Sequence, residues 1–160
     1  MNPFQLIQTD PGQLFWLIGF LVLVIVPGSF IGYTTAPREW YAGLKKPSFN
    51  PPNWIFAPVW FVLYVLIAIA GWLVFARAPW STAFAAWVLQ LLLNWLWSPV
   101  FFALQRPWQA VVVIAGLDAA ALVFTLSAWA IDPLASLLFL PYLAWIGFAT
   151  LLNVAIARLN

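Results

Sequence analysis

Aromatic and amide side chains recur at helical spacing in three apolar segments, and these residues are the best suited to hold a small molecule. Residues three or four apart share one face of a helix, so each group presents rings and polar atoms together. An amide in hydrocarbon is unfavourable unless it is hydrogen-bonded, so such faces point into a neighbouring helix or a cavity. Core packing alone also explains any single group. The groups are Trp60 with Tyr64, then Trp87, Gln90, Asn94, Trp97 and Ser98, and then Tyr142, Trp145 and Ala149.

Other kinds of reactive site are missing from the sequence. The chain has no Cys and no His, which removes disulfides, thiolate metal sites and the commonest metal ligand. No acid–base dyad, activated nucleophile or set of metal ligands is visible, so ordinary side-chain catalysis is disfavoured. We therefore expect no metal centre and no obligatory cofactor.

Asp118 is a separate candidate, because it stands near the middle of an apolar segment. A carboxylate inside a membrane is by default a functional residue, since keeping it charged there costs several kcal/mol. Two interpretations remain open: a proton relay, and a structural hydrogen bond between helices. The second is favoured because no basic residue lies at matching depth. Small residues nearby suit close helix packing, namely Ala115, Gly116, Ala119 and Ala120.

The composition indicates the solvent in which this chain folds. Hydrophobic residues make up 66% of it and charged residues 6%, too few to cover a globule with a polar surface. Most of the surface must therefore face lipid. The six basic residues are scattered, and without a basic run nucleic-acid binding is excluded.

Five apolar segments are long enough to cross a bilayer, which takes about 20 residues. The alternation typical of membrane β-strands is absent, so we predict an all-α integral membrane protein forming a single domain over residues 1–160. Three prolines fall inside segments and are expected to kink them, and Asp132 reads as an N-cap. The predicted helices are 13–32, 56–76, 81–104, 108–131 and 134–157; the internal prolines are Pro27, Pro99 and Pro141, and Pro58, Pro79, Pro107 and Pro133 stand at or near helix starts.

The distribution of basic residues predicts the orientation, because cytoplasmic loops retain Lys and Arg. Five basic residues fall on one side of the predicted topology, and only Arg77 falls on the other. We therefore expect the N-terminus outside and the C-terminus in the cytoplasm. The five are Arg38, Lys45, Lys46, Arg106 and Arg158.

The connection at residues 33–55 is long, polar and rich in aromatic residues and proline, which favours a rigid functional loop. An interfacial segment with its rings at headgroup depth is the alternative. At about 1.5 Å of rise per residue, five candidate residues lie in the half of the bilayer nearest this loop. We therefore predict one cavity with the loop as its lid; the five residues are Trp60, Asn94, Trp97, Trp145 and Asn153.

Three motifs in this order resemble those of the TspO/MBR family. They are residues 39–52 (EWYAGLKKPSFNPP) leading to Trp60 and Tyr64, residues 94–102 (NWLWSPVFF), and residues 141–153 (PYLAWIGFATLLN). The resemblance covers the chain from about residue 36 onward. Two departures stand out. Ser48 and Phe49 replace a second aromatic pair found after Lys-Pro in many bacterial members. The last helix lacks the Tyr of the animal sterol motif, so sterol recognition by that route is disfavoured, and a bacterial cell envelope is favoured over a mitochondrial outer membrane.

The resemblance implies a five-helix bundle, often a homodimer, whose cavity accepts protoporphyrin, haem, sterols in animals, and benzodiazepine-site ligands. It also implies roles for Tyr41 on the lid, for Trp60, Asn94, Trp145 and Ala149 in the pocket, and for the pair Trp60 and Trp145 in light-dependent breakdown of protoporphyrin. The ligand-binding residues expected from the chain and the resemblance together are Tyr41, Pro47, Asn50, Trp60, Tyr64, Gln90, Asn94, Trp97, Tyr142, Trp145, Ala149 and Asn153.

Three functions remain open at this point. The first is binding, and with it transport, of tetrapyrroles, with Arg38, Lys45 or Lys46 near the mouth for the propionates. The second is photo-oxidative degradation of protoporphyrin. The third is a proton-coupled transporter or regulatory scaffold, which rests on Asp118 alone. Only Tyr is left as an axial haem ligand, and neither Tyr41 nor Tyr142 has a basic neighbour that favours a phenolate, so haem and protoporphyrin are expected to bind alike.

Overall fold

The computed structural model describes residues 10–36 and 39–160. Five of its helices are long and apolar enough to cross a membrane, and no strand occurs within those two ranges. The prediction of an all-α, multi-pass integral membrane protein is confirmed. The helices are α1 (Gly12–Thr34), the short α2 (Glu39–Gly43), α3 (Phe56–Arg77), α4 (Thr82–Ser98), α5 (Pro107–Ala128) and α6 (Pro133–Leu159), with a 3₁₀ turn at Asn53–Ile55 and a π-helical turn at Pro99–Ala103.

Side-chain caps and proline define two of the helix starts. Ser81 accepts a hydrogen bond from the Phe84 N–H (3.2 Å) at the start of α4. Asp132 accepts one from the Leu134 N–H (2.9 Å) at the start of α6, as its position before a proline predicts. Asp132 also forms an ion pair of 2.6 Å with Arg77 at the end of α3. This one carboxylate therefore ties the ends of two neighbouring helices together.

The predicted internal prolines have different outcomes. Pro27 and Pro141 lie within α1 and α6. Pro99 instead marks the end of α4, because the chain continues from it as a single π-helical turn. After this turn Gln105 adopts a φ of 56°, a left-handed conformation that lets the chain reverse into α5.

The bundle packs in the order α1, α3, α6, α5, α4, with further contact between α1 and α4. The half farthest from the first loop is solidly filled. There a Cβ on Gly71 would overlap the indole of Trp87, so glycine is what allows α3 and α4 to approach each other. The Trp87 N–H donates to the Ile67 carbonyl (2.9 Å), and the Trp72 N–H donates to Gln13 Oε1 (3.2 Å).

Candidate functional site

A cavity of about 450 Å³ lies in the half of the bundle next to the first loop. Its wall is built from α1, α3, α4 with the following π-turn, and α6, and α2 of the loop also contributes to it. The structure brings together in this wall all five residues placed there by the depth argument, and adds three further residues from the expected set. These eight are Tyr41, Trp60, Tyr64, Asn94, Trp97, Trp145, Ala149 and Asn153.

Eleven of the 24 residues that line the cavity are aromatic. On α3, the rings of Trp60 and Tyr64 lie 5.3 Å apart between centroids. On the α4 side, Trp97 stacks on Phe101 at 5.4 Å with an interplanar angle of 24°. Rings one helical turn apart bring their faces close because both project from the same side of the helix. The cavity is thus lined by flat, apolar surfaces suited to stacking a planar molecule.

A buried polar network stands behind Asn94 rather than in the wall. The Asn94 side-chain amide donates to the Tyr142 hydroxyl (3.1 Å), which in turn donates to Gln90 Oε1 (2.9 Å). Gln90 and Tyr142 are both 0% exposed. These two expected ligand-binding residues therefore do not reach the cavity, and they hold Asn94 in place instead.

A second amide fixes Trp97. The Trp97 indole N–H donates to Asn153 Oδ1 (3.0 Å), and the Asn153 amide donates to the Pro107 carbonyl (3.0 Å) at the start of α5. The rotamer of Trp97 is therefore held by α5 and α6 together.

Unlike Trp97, Trp95 and Trp145 do not use their indole N–H groups in hydrogen bonds within the described part of the chain. Both line the cavity, and both N–H groups are buried with no hydrogen-bond partner in the described part of the chain. The Trp145 ring packs against the rings of Phe56 and Phe148, each at 5.8 Å between centroids. A buried donor without an acceptor is unfavourable by about 1–3 kcal/mol. Both nitrogen atoms are closed to a water-sized probe in this structure, so a bound molecule reaches either N–H only after neighbouring side chains move.

The loop contributes Tyr41 to the cavity, and the remainder of the motif supports that side chain. The Tyr41 hydroxyl donates to Asn50 Oδ1 (3.2 Å), and the Lys46 ammonium lies 4.5 Å from the ring centroid. Burial raises the pKa of Tyr41, an effect that the hydrogen bond with Asn50 partly offsets. Asn50 itself and Pro47 are not in the cavity wall. Arg38, the third basic residue expected at the mouth, lies outside the described residues.

Helix α1 supplies part of the wall that the sequence analysis did not anticipate. A Cβ on Gly28 would come within 2.6 Å of the Tyr64 ring, so only glycine leaves room for that ring. Thr35, just past the end of α1, is hydrogen-bonded to Ser98 of α4 (2.6 Å). The sequence feature that could have indicated this face of α1 is the pair Gly28 and Gly32, one helical turn apart, because small residues in a membrane helix often mark where another helix approaches closely.

Comparisons with known proteins bear on the identity of this site. The TspO/MBR family model matches residues 19–159. The chain belongs to the TspO/MBR family. It is 43% identical over 148 residues to the tryptophan-rich protein TspO of Archaeoglobus fulgidus, covering 90% of this chain and 96% of that protein. It is 38% identical over 141 residues to the human translocator protein, covering 83% of each, and 40% identical over 134 residues to the tryptophan-rich sensory protein of Cereibacter sphaeroides, covering 81% and 82%.

Asp118 of this TspO/MBR chain lies outside the cavity wall. The Thr150 hydroxyl of α6 donates to Asp118 Oδ2 (2.7 Å), which joins α5 to α6. Asp118 Oδ1 is buried without a partner among the described residues. Of the two interpretations of Asp118, a proton relay and a structural hydrogen bond between helices, this geometry agrees with the second. The same described residues contain no group of His, Cys, Asp and Glu that could hold a metal ion.

Proposed function

We propose that this protein binds protoporphyrin, haem and similar flat apolar ligands in the cavity, with the first loop as its lid. The observation that carries the proposal is the cavity itself, with about 450 Å³ of space and a wall of rings and a few amides. Small-molecule sites typically occupy about 300–1,000 Å³ and combine apolar walls with a few placed polar groups. Membership of the TspO/MBR family supports the same proposal.

Each part of such a ligand has a matching group. The macrocycle stacks on the rings of Trp60 and Trp97, where burial of apolar area supplies most of the affinity. Acceptor atoms of the ligand bond to the unpartnered N–H groups of Trp95 and Trp145 once neighbouring side chains move to uncover them. Propionates reach the exposed Lys45 on the loop, where water and charge are available.

The central metal of the ligand adds little in this proposal. Tyr41 is the loop tyrosine in the wall, and its hydroxyl is already hydrogen-bonded to Asn50. Because burial raises its pKa, the side chain stays a neutral phenol at pH 7, which is a poor ligand for iron. Stacking and apolar burial are indifferent to the metal, so we expect protoporphyrin and haem to bind alike.

Transport follows binding in this proposal, and the name of the human relative, translocator protein, favours it. Benzodiazepine-site ligands fit the same description of flat apolar molecules, so a receptor role belongs to the same site. The homodimer, the bacterial envelope and the cytoplasmic C-terminus stay predictions. Proton-coupled transport has less support, because Asp118 lies outside the cavity wall and is bonded to Thr150.

A second function is favoured by one observation: Trp60 and Trp145 both line the cavity. In a light-dependent oxidation of protoporphyrin by molecular oxygen, two indoles beside the excited macrocycle would relay electrons or quench reactive oxygen.

One experiment tests both functions. Purified protein in lipid nanodiscs is titrated with protoporphyrin in the dark, and the complex is then illuminated while absorbance and products are followed. We expect saturable dark binding. If degradation is real, Trp60→Phe and Trp145→Phe each slow the illuminated loss about tenfold and change dark affinity less, because phenylalanine keeps a stacking face without the indole's redox chemistry. Absence of saturable binding would overturn the first function, and unchanged loss in both variants would overturn the second.

A further inference from the structure

The side chain of Asn160, the residue after α6, pairs with the backbone of the first loop. The Lys45 N–H donates to Asn160 Oδ1 (3.0 Å), and the Asn160 amide donates back to the Lys45 carbonyl (3.0 Å). Two residues of adjacent antiparallel strands exchange hydrogen bonds in this same way. The same amide also donates to the Ile156 carbonyl (2.9 Å), one of the carbonyls left free in the last turn of a helix. Asn160 therefore joins the loop to the end of α6.

Within residues 39–52 of the loop, the other side-chain hydrogen bonds are internal. Tyr41 bonds to Asn50, and the Lys46 ammonium bonds to the carbonyls of Ala42 and Leu44. Within the ranges that the structure describes, no other side-chain hydrogen bond joins residues 39–52 to the long helices. The remaining contacts of these residues with the bundle are apolar, such as the ring of Tyr41 against that of Phe102 at 5.4 Å. Apart from the bond between Thr35 and Ser98 where the loop begins, its polar attachment to the bundle is thus concentrated at Asn160.

The location of this pairing connects it to the cavity. Ile156, whose carbonyl the Asn160 amide binds, lines the cavity, and so does Tyr41. Both belong to one buried apolar cluster, and Leu44, next to Lys45, packs against it. Lifting the loop off the cavity separates Lys45 from the end of α6 and breaks both hydrogen bonds at once.

We propose that Asn160 is a positioning residue that latches the first loop closed over the cavity and thereby limits the rates at which a ligand enters and leaves. The proposal rests on the proposed function for its ligand, but the latch itself exists in the ligand-free protein. Because the latch acts on opening and not on the ligand, it changes the two rates in parallel and leaves the affinity nearly constant.

A competing route is visible in the same cavity. Its wall includes exposed residues of α1 and α3, among them Tyr33 and Phe61. A ligand that passes between these two helices from the lipid leaves the contact between Asn160 and Lys45 intact. The effect of Asn160 on the rates therefore distinguishes the two routes.

The test compares Asn160→Ala with Gln109→Ala. Gln109 is also an exposed amide, accepts a hydrogen bond from Arg106 (3.3 Å), and lies outside the cavity wall. Protoporphyrin association and dissociation are followed by stopped-flow fluorescence in nanodiscs. Loss of two solvent-exposed hydrogen bonds is expected to raise both rates about tenfold in Asn160→Ala, with the Kd within about twofold, whereas Gln109→Ala matches the parent protein.

Hydrogen exchange of the Lys45 amide in ligand-free protein provides the second measurement. We expect faster exchange in Asn160→Ala and no change in Gln109→Ala. Unchanged exchange would overturn the latch, and unchanged rates would overturn its control of ligand passage and favour the route between α1 and α3. If the parent protein binds no protoporphyrin, the proposed function fails, while the exchange measurement still decides whether the latch exists.

Discussion

The half of the bundle next to the first loop and the opposite half are both rich in tryptophan, yet they use the indole differently. In the far half, Trp87 is 1% exposed, stacks on Phe84 at 5.7 Å and donates its N–H to the Ile67 carbonyl. In the near half, Trp95 and Trp145 line a cavity, and no described residue accepts their N–H groups. Tryptophan therefore does not by itself mark the site. What marks it is the combination of unfilled space and unused hydrogen-bonding capacity.

The largest expected difference between the two halves is the loss of stability when one indole ring is removed from each. Trp87→Ala leaves a large void in a filled core and removes the indole hydrogen bond to the Ile67 carbonyl, so we expect it to lose about 3–5 kcal/mol of unfolding free energy. Trp60→Ala only enlarges a cavity that already exists, and we expect a loss under about 2 kcal/mol. Thermal unfolding in one detergent measures both. Equal losses would show that the near half is packed as tightly as the far half.

Removal of single N–H groups sharpens the comparison within the site. Trp97→Phe leaves Asn153 Oδ1 without its donor, and we expect a loss of about 1 kcal/mol. Trp145→Phe removes an N–H that has no partner among the described residues, so stability should stay the same or rise slightly. The same unfolding assay compares the two variants. A larger loss of unfolding free energy in Trp145→Phe than in Trp97→Phe would contradict the assignment of the Trp145 N–H to a ligand.

The smallest expected effect is that of the metal in the ligand. Haem and metal-free protoporphyrin should differ in Kd by less than about tenfold, or about 1.4 kcal/mol, because the wall offers stacking faces and a hydrogen-bonded phenol at Tyr41. Parallel titrations in one detergent measure the ratio. A haem preference of several hundredfold with a spectrum of ligated iron would show that a side chain coordinates the metal.

The fold was predictable because hydrocarbon allows few alternatives. Apolar runs of this length cross a bilayer as helices, since every backbone group must be satisfied within the segment. The cap at Asp132 followed from its place before a proline. The π-turn after Pro99 was not predictable, because proline in a membrane helix is compatible with a kink, a stop or a change of helix type.

The site was predictable in part, through depth and helical spacing. Depth along a helix identified Trp60, Asn94 and Trp145 as neighbours in space, because the rise per residue is nearly constant. Helical spacing in the sequence does not distinguish a residue in the cavity wall from one buried behind it. Gln90 and Tyr142 were therefore expected to face the ligand, although in the structure they support Asn94. Facing direction depends on how the helices rotate against each other, which packing decides.

The contribution of α1 was missed for a related reason. Its sequence is apolar over most of its length, and in the structure only Phe20, Val24 and Gly28 of this helix are buried. Ser29 and Tyr33 do line the cavity, but two such residues near the end of an apolar helix did not set one of its faces apart. The tie between Lys45 and Asn160 joins residues 115 positions apart, and no periodic pattern in one sequence connects them.

The most direct test of the central claim, that the cavity is the ligand site, compares two alanines on α6. Ala149 lines the cavity, whereas Ala144 is exposed on the outside of the same helix and does not line it. Protoporphyrin affinity is measured for Ala149→Phe and Ala144→Phe in nanodiscs, with thermal unfolding to confirm that both variants are folded. We predict that Ala149→Phe weakens binding about thirtyfold or more, about 2 kcal/mol, because its ring occupies the space of the ligand, and that Ala144→Phe binds like the parent protein. Equal affinity of the folded Ala149→Phe variant and the parent protein would place the ligand elsewhere and contradict the account.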